Sequence, residues 1–192
     1  MEQIKILVIN LKKREDRWLR ISEMLSERGL DFKRVDAIED ERGYIGCVKS
    51  HIKALHYAKI LGLKEVIIME DDFMFAGDGK FIYPPACDVC LYSCKLNKKR
   101  EYDDDFYQVY DGRHTDFYFI REHYYDTLIE CWSESLEKLM KDYIHRNYLD
   151  VYWIKLQKKD LFLCPKIRLG YQIEGYSDIK GCNVDRSMID LS

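Results

Sequence analysis

Glu70, Asp71 and Asp72 stand in a row directly after the apolar run Val66-Ile67-Ile68-Met69. Three adjacent carboxylates repel one another and gain nothing from burial, so folding alone does not ask for them. The apolar run before them, bounded by charge, reads as a strand buried on both faces of a parallel sheet. In open α/β sheets, ligands bind beyond the carboxyl ends of such strands. Strand alternation puts Glu70 and Asp72 on one face and Asp71 on the other. Two oxygen-rich side chains converging on one point make a seat for Mg²⁺ or Mn²⁺, hard cations that often hold substrate phosphates as well. The competing reading is a solvated acidic turn.

Other residues of chemical interest lie apart from this cluster. Asn10, Arg14 and Arg17 follow the first apolar run, Ile4-Lys5-Ile6-Leu7-Val8-Ile9. Guanidinium groups at that place suit phosphate contacts, and the alternative is a solvated helix start. Asn10 can turn its amide to a ligand or form an Asx-turn. Ser50 and His51 sit beside Val48 and Ile52 in a helical pattern, where a histidine is commonly a packed, hydrogen-bonded residue. They are not a nucleophile pair, because neighbouring helix residues point about 100° apart. Cys87, Cys90 and Cys94 have C-x2-C-x3-C spacing, which zinc or an iron–sulfur centre could use. No fourth ligand stands nearby and Asp88 to Tyr92 reads as a strand, so these read as structural thiols.

The elements that must position these groups alternate. After the first strand, Trp18, Ile21 and Leu25 recur at helical spacing, with Gly29 suited to the C-terminal cap. Phe32 to Val35 is a short strand. Ile45, Val48, Ile52 and Leu55 mark a second helix that stops near Gly62. The Val66–Met69 strand follows, then strands at Val89–Tyr92 and Phe117–Ile120, and a long helix marked by Leu128, Ile129, Trp132, Leu136, Leu139, Met140 and Tyr143. Lys95 to Asp105, the most polar stretch, reads as a mobile surface loop. The pattern predicts an α/β/α sandwich of Rossmann type with a mostly parallel central sheet, in which Ile4–Ile9 and Val66–Met69 lie side by side near the centre.

Composition narrows the function classes. A chain of 192 residues, 47% hydrophobic and 34% charged, has room for one substantial core and no Pro/Gly/Ser-rich linker, so one domain over 1–192 is expected. The net charge of −3 gives no reason to expect nucleic acid as a partner. No apolar run approaches the roughly 20 residues that span a bilayer. The amino terminus, MEQIKILVIN, is unlike a secretory signal, and seven scattered cysteines fit a reducing compartment, so a cytoplasmic location is expected. Fifteen tyrosines offer apolar faces with polar tips, a surface that suits sugars and nucleotides as well as ordinary cores.

Val8-Ile9-Asn10-Leu11 with Arg14 and Arg17, then Gly46-Cys47 with Ser50-His51, then Glu70-Asp71-Asp72, form an ordered set that resembles glycosyltransferase family 25. That family includes lipooligosaccharide galactosyltransferases and collagen hydroxylysine glycosyltransferases. The resemblance continues through Asp88-Val89, His114 to Ile120, Leu149-Asp150, Gln172 and Ser177-Asp178-Ile179. It implies a GT-A-like fold, a UDP-sugar donor, a divalent metal (Mn²⁺ or Mg²⁺), inversion at the anomeric carbon, and a hydroxyl acceptor on a glycan or protein. It gives Glu70 and Asp72 to the metal, and donor contacts to Asn10, Arg14, Arg17, Ser50 and His51, with Asp71 facing the helix side or the ribose. An inverting transfer also needs a base beside the incoming hydroxyl. Asp150 is the first choice and Asp116 the second; Asp150 otherwise caps a helix beginning at Val151. His114-Thr115-Asp116 departs from the family pattern, which leaves the acceptor open. The readings from other classes are a metal-dependent phosphodiesterase or nuclease and a catalytically inactive nucleotide-sugar-binding protein.

Overall fold

A computed structural model describes residues 4–77, 82–179 and 181–184. Met1 to Gln3, part of the segment read as unlike a secretory signal, lie outside the described residues. In chain order the elements are β1 (Lys5–Asn10), α1 (Glu15–Glu27), β2 (Phe32–Asp36), α2 (Gly43–Ile60), β3 (Glu65–Glu70) and β4 (Phe73–Phe75). They continue with β5 (Val89–Glu101), β6 (Phe106–Arg121), α3 (Tyr125–Lys141), α4 (Leu149–Tyr152), β7 (Phe162–Pro165) and β8 (Gly170–Gln172). No helix among the described residues is long and apolar enough to cross a membrane.

The central sheet has six strands in the order β2-β1-β3-β6-β5-β7. β1 pairs in parallel with both β2 and β3, and β5 in parallel with β7. β6 is antiparallel to β3, β5 and β7, so it is the one strand of this sheet that runs against the rest. The expected mostly parallel α/β sheet is thus formed, with one reversed strand between its halves. β1 and β3 are interior neighbours, and their apolar residues are buried on both faces as continuous hydrophobic runs require.

The alternation of each strand divides the core into two layers. Leu7, Ile9, Val66, Ile68, Leu91, Tyr118 and Ile120 face α2 and α3, packing on Val48, Leu55, Leu128 and Trp132. Ile6, Val8, Ile67, Met69, Phe117 and Phe119 face the other side, with Ile21, Met24 and Leu25 of α1. Gly29 and Gly62 both take positive φ, at 63° and 66°, just after α1 and α2 end. Met140 is largely exposed and Tyr143 lies beyond the end of α3, so the helical seam there is shorter than its apolar residues suggest.

One expectation needs correcting. Lys95 to Asp105 is no mobile loop: β5 runs to Glu101 and β6 starts at Phe106, making a long hairpin arm. Its polar residues pair across the strands, with Arg100 donating to Gln108 and Lys99 sitting over the Tyr107 ring at 3.6 Å. Asp103 closes the turn by accepting from the backbone N–H of Asp105 and Phe106. The three cysteines at C-x2-C-x3-C spacing, read as structural thiols, lie on opposite faces of the sheet. Cys87 and Cys90 pack in the α1-side layer, whereas Cys94 packs on the other face with its Sγ 3.6 Å from that of Cys164.

Candidate active site

The carboxyl ends of β1 and β3 are in register, Ile9 opposite Glu70, so the residues that follow each strand meet. Asn10 is 1% exposed and donates its amide to Asp71 Oδ2 at 2.6 Å and to the Arg14 carbonyl at 3.1 Å. Asp71 also accepts from Arg17 Nη1 at 2.9 Å, while its own carbonyl accepts from Arg20 Nη2 at 2.8 Å. Burial raises the Asp71 pKa, and the Arg17 guanidinium opposes that shift. Asp71 is thereby fixed against α1. Asn10 Oδ1 lies buried with no hydrogen-bond partner, an uncommon state for a carbonyl-type oxygen.

Glu70 and Asp72 line a cleft together with Asp71, Arg17, Lys13, Ser50 and His51. Glu70 Oε1 lies 3.2 Å from His51 Nε2 and accepts from Thr115 Oγ1 at 3.2 Å. His51 Nδ1 lies 3.1 Å from the Tyr118 hydroxyl. A neutral imidazole satisfies both contacts when Nε2–H donates to Glu70 and Nδ1 accepts from Tyr118. Burial raises the Tyr118 pKa, so that hydroxyl keeps its proton. His51, 1% exposed, also meets Trp132 edge-on at 5.5 Å. It therefore acts on the cleft through the carboxylate that it orients. Asp72 lies 3.9 Å from Arg17 Nη1 and 3.3 Å from Gln172 Nε2.

Ser50 has a structural partner set: its hydroxyl donates to the Gly46 carbonyl and accepts from the Ile38 N–H. That pins the start of α2 to the loop after β2. Arg14 forks onto Asp16 and reaches Asp178 with Nη1 at 2.6 Å. Arg17 Nη2 donates to the Tyr176 carbonyl at 2.5 Å. The segment after β8 thus folds back over the strand ends, and a Cβ on Gly43 would fall inside the Ile179 backbone. Asp178 and Ile179 line the cleft, while Tyr176 and Gln172 reach its Arg17 and Asp72 through long-range contacts.

The second wall comes from a break in the β5–β6 ladder. Ser93 pairs with Phe117 and Lys95 with Arg113, so one residue of β5 faces three of β6. His114 takes φ 77° there, the only positive φ outside glycine among the described residues. Bulges and left-handed non-glycine residues are common where a side chain is re-aimed at a site. Asp150 Oδ2 accepts from the His114 N–H at 3.3 Å. The helix there begins at Leu149, and Asp150 lies in its first turn without capping it, so the cap reading fails. Asp116 is 0% exposed with both carboxylate oxygens lacking a hydrogen-bond partner. Burial, reinforced by Glu70, pushes its pKa up to about 8, with the nearby Ser93 opposing the shift.

Cys47, His51 and Glu70 bring ligand atoms within 4.8 Å of one another. Sulfur and nitrogen donors of this kind suit zinc better than Mn²⁺ or Mg²⁺. Burial and the charge on Glu70 raise the Cys47 thiol pKa, which opposes the thiolate that a metal needs. The carboxylate oxygens of Glu70 and Asp72 fit a hard cation better.

No protein-family model matches this chain, and no curated protein matches it. Among solved structures it is similar to a glycosyltransferase involved in glycosylation of the major capsid of PBCV-1, at 12% identity and a TM-score of 0.49, over 85% of this chain and 93% of that one. It is also similar to a Drosophila β-1,4-galactosyltransferase 7 variant in complex with manganese, UDP-Gal and xylobiose, at 12% identity and a TM-score of 0.41, over 66% and 52%. A nucleoside-diphosphate-sugar pyrophosphorylase from Vibrio cholerae RC9 is similar at 14% identity and a TM-score of 0.42, over 83% and 70%. All three likenesses concern the course of the backbone.

Proposed function

We propose that this chain is a glycosyltransferase of the family 25 kind. In this reading it moves a hexose, galactose or glucose, from a UDP-sugar to a hydroxyl of a glycan or hydroxylated protein, in the cytoplasm, with inversion. The carrying observation is the division of labour among the three acids. All three line the cleft at the ends of β1 and β3, but Asp71 is tied down by the buried Asn10 amide and by Arg17, while Glu70 is oriented by His51 and Thr115 and Asp72 lies beside Gln172. Glu70 and Asp72 would hold Mn²⁺ or Mg²⁺. When bound, that cation neutralises the departing diphosphate.

The chain's own residues supply the rest. Arg17 and Lys13 bring positive charge to the donor side of the cleft. His51 and Thr115 hold the Glu70 carboxylate in one orientation. The acceptor oxygen bonds to the anomeric carbon as its bond to the diphosphate oxygen breaks, UDP departs, and the hydroxyl proton passes to a carboxylate. Asp150 takes that role, being half-buried beside the groove that also contains Glu70. Burial and the neighbouring Glu70 hold the Asp116 carboxyl well above the usual carboxylate range, which favours Asp150 over it as the base.

Release of UDP from UDP-galactose and UDP-glucose with Mn²⁺ tests the reading, because donor hydrolysis without acceptor reports an active site. UDP binding without any turnover would favour an inactive binding protein. Cleavage of simple phosphodiesters instead would favour the hydrolase reading.

A further inference from the structure

Past Glu70 and Thr115 the cleft opens into a wider groove that follows the β5–β6 arm and β7. Its two ends carry opposite charge. Glu70 and Asp150 stand at the end nearest β3, Lys95 of β5 pairs with Arg113 beside the His114 that bonds Asp150, and Lys99 of β5 with Lys166 and Arg168 after β7 lines the rest. Lys95, Lys99, Lys166 and Arg168 are all exposed, in a chain whose net charge is −3. Tyr107 organises two of them: Lys99 lies over its ring at 3.6 Å and Lys166 at 5.3 Å. Lys166 also pairs with Glu101 at 2.5 Å, and Glu101 is 70% exposed. An exposed pair of this kind contributes little, so a ligand anion can replace Glu101 at small cost.

The same groove has aromatic walls. Tyr44 and Tyr148 stack on each other with centroids 3.6 Å apart and planes at 14°, which covers one face of each ring, and both line the groove. Flat apolar faces edged by hydroxyls suit pyranose rings. β5 climbs about 3.3 Å per residue, which sets Lys95 and Lys99 roughly 7 and 20 Å along the strand from Ser93. An anion is repelled beside Glu70 and Asp150 and attracted along that strip, so a bipolar ligand lies in one direction only.

We propose that this groove is an acceptor subsite for an acidic oligosaccharide, one that presents a hydroxyl beside Asp150 while its carboxylate or phosphate groups lie along Lys95, Lys99, Lys166 and Arg168. The inference rests on the glycosyltransferase reading and sharpens its acceptor class.

Binding to the full chain, measured by titration calorimetry without donor, tests it. The probes are 3′-sialyllactose for the carboxylate, a maltotriose phosphate for the phosphate, neutral lactose and maltotriose, and an acidic serine-containing peptide. At least one acidic trisaccharide should bind about tenfold more tightly than its neutral parent, with the margin shrinking as salt rises. Whichever acidic probe shows it identifies the anion. Lys95→Glu with Lys99→Glu should erase the margin, and Lys95→Arg with Lys99→Arg should keep it. Equal binding of acidic and neutral sugars, a margin indifferent to the charge reversal, or tighter binding of the peptide each overturns the proposal. UDP binding in the same samples separates the two readings. If UDP binds but acidic sugars are not preferred, only the acceptor class falls. If acidic sugars bind and UDP does not, the donor reading falls and the saccharide groove stands.

Discussion

Asn10 and Asp71 are joined by a buried 2.6 Å hydrogen bond that spans 61 residues of sequence and ties the carboxyl end of β1 to that of β3. The bond sets which acid is structural. Losing an amide donor to a buried carboxylate costs about 1.5–3 kcal/mol. Asn10→Ala should therefore destabilise the fold by about that amount in denaturant titrations. Asn10→Asp should be worse at neutral pH, because it sets a second carboxylate against Asp71. Equal midpoints for the two variants would refute the assignment.

The metal set is open to a direct test. Asp72→Asn removes an anionic ligand with little change of shape, so UDP binding should lose its Mn²⁺ dependence while the melting temperature holds. Cys47→Ser should retain the Mn²⁺ dependence if the proposed oxygen pair and not the thiol is the seat of the ion. The reverse pattern would move the centre to Cys47, His51 and Glu70.

Asp116 makes stability depend on pH in an unusual direction. Its pKa is raised from 3.8 to about 8 in the folded chain, so the folded state binds the proton more tightly than the unfolded one. The stabilisation is whole below about pH 4 and is lost as pH rises towards 8, at up to 1.4 kcal/mol per pH unit. Asp116→Asn mimics the protonated form and should flatten that slope, melting above the wild type at pH 8. A slope unchanged by the substitution would show that Asp116 ionises normally.

Asp150→Asn separates chemistry from support. Asp150 caps no helix, so the loss of stability should stay below about 1 kcal/mol. If Asp150 is the proposed base, turnover should fall severely with UDP affinity intact. Normal turnover in this variant would exclude Asp150 as the base.

The left-handed backbone at His114 predicts an inverted order of substitutions. Glycine tolerates φ 77° without the Cβ penalty, so His114→Gly should be more stable than His114→Ala by about 1 kcal/mol. Thermal melts of the two variants decide it, and a more stable alanine variant would mean that the bulge relaxes.

Much of this arrangement is legible in the sequence. β1 and β3 are continuous apolar runs, which fixes them as interior neighbours, and the acids after β3 follow at once. The helices α1 and α2 show the right spacing and glycine stops. The arm formed by β5 and β6 is illegible because its stability comes from cross-strand pairs such as Lys99 with Tyr107, not from apolar alternation. The burial of Asp116 is hidden for a related reason: its place follows from a bulge, and register shifts leave no periodic trace. Arg14 and Asp178 meet across 164 residues, a pairing that no local pattern announces.

The chain that crosses the strand ends has a consequence for biosynthesis. Arg17 reaches the Tyr176 carbonyl, Arg14 reaches Asp178, and Ile179 lies against Gly43. A ribosome makes β1, α1, β2, α2 and β3 early, at roughly 5–20 residues per second, and these can pair with one another as they emerge. The segment that frames their carboxyl ends is translated only after more than 100 further residues. A nascent chain arrested before Tyr176 would thus carry the acids and arginines of the cleft without its frame. Competence to hold a ligand there is acquired late in synthesis, after the half of the sheet that bears the acids has been made.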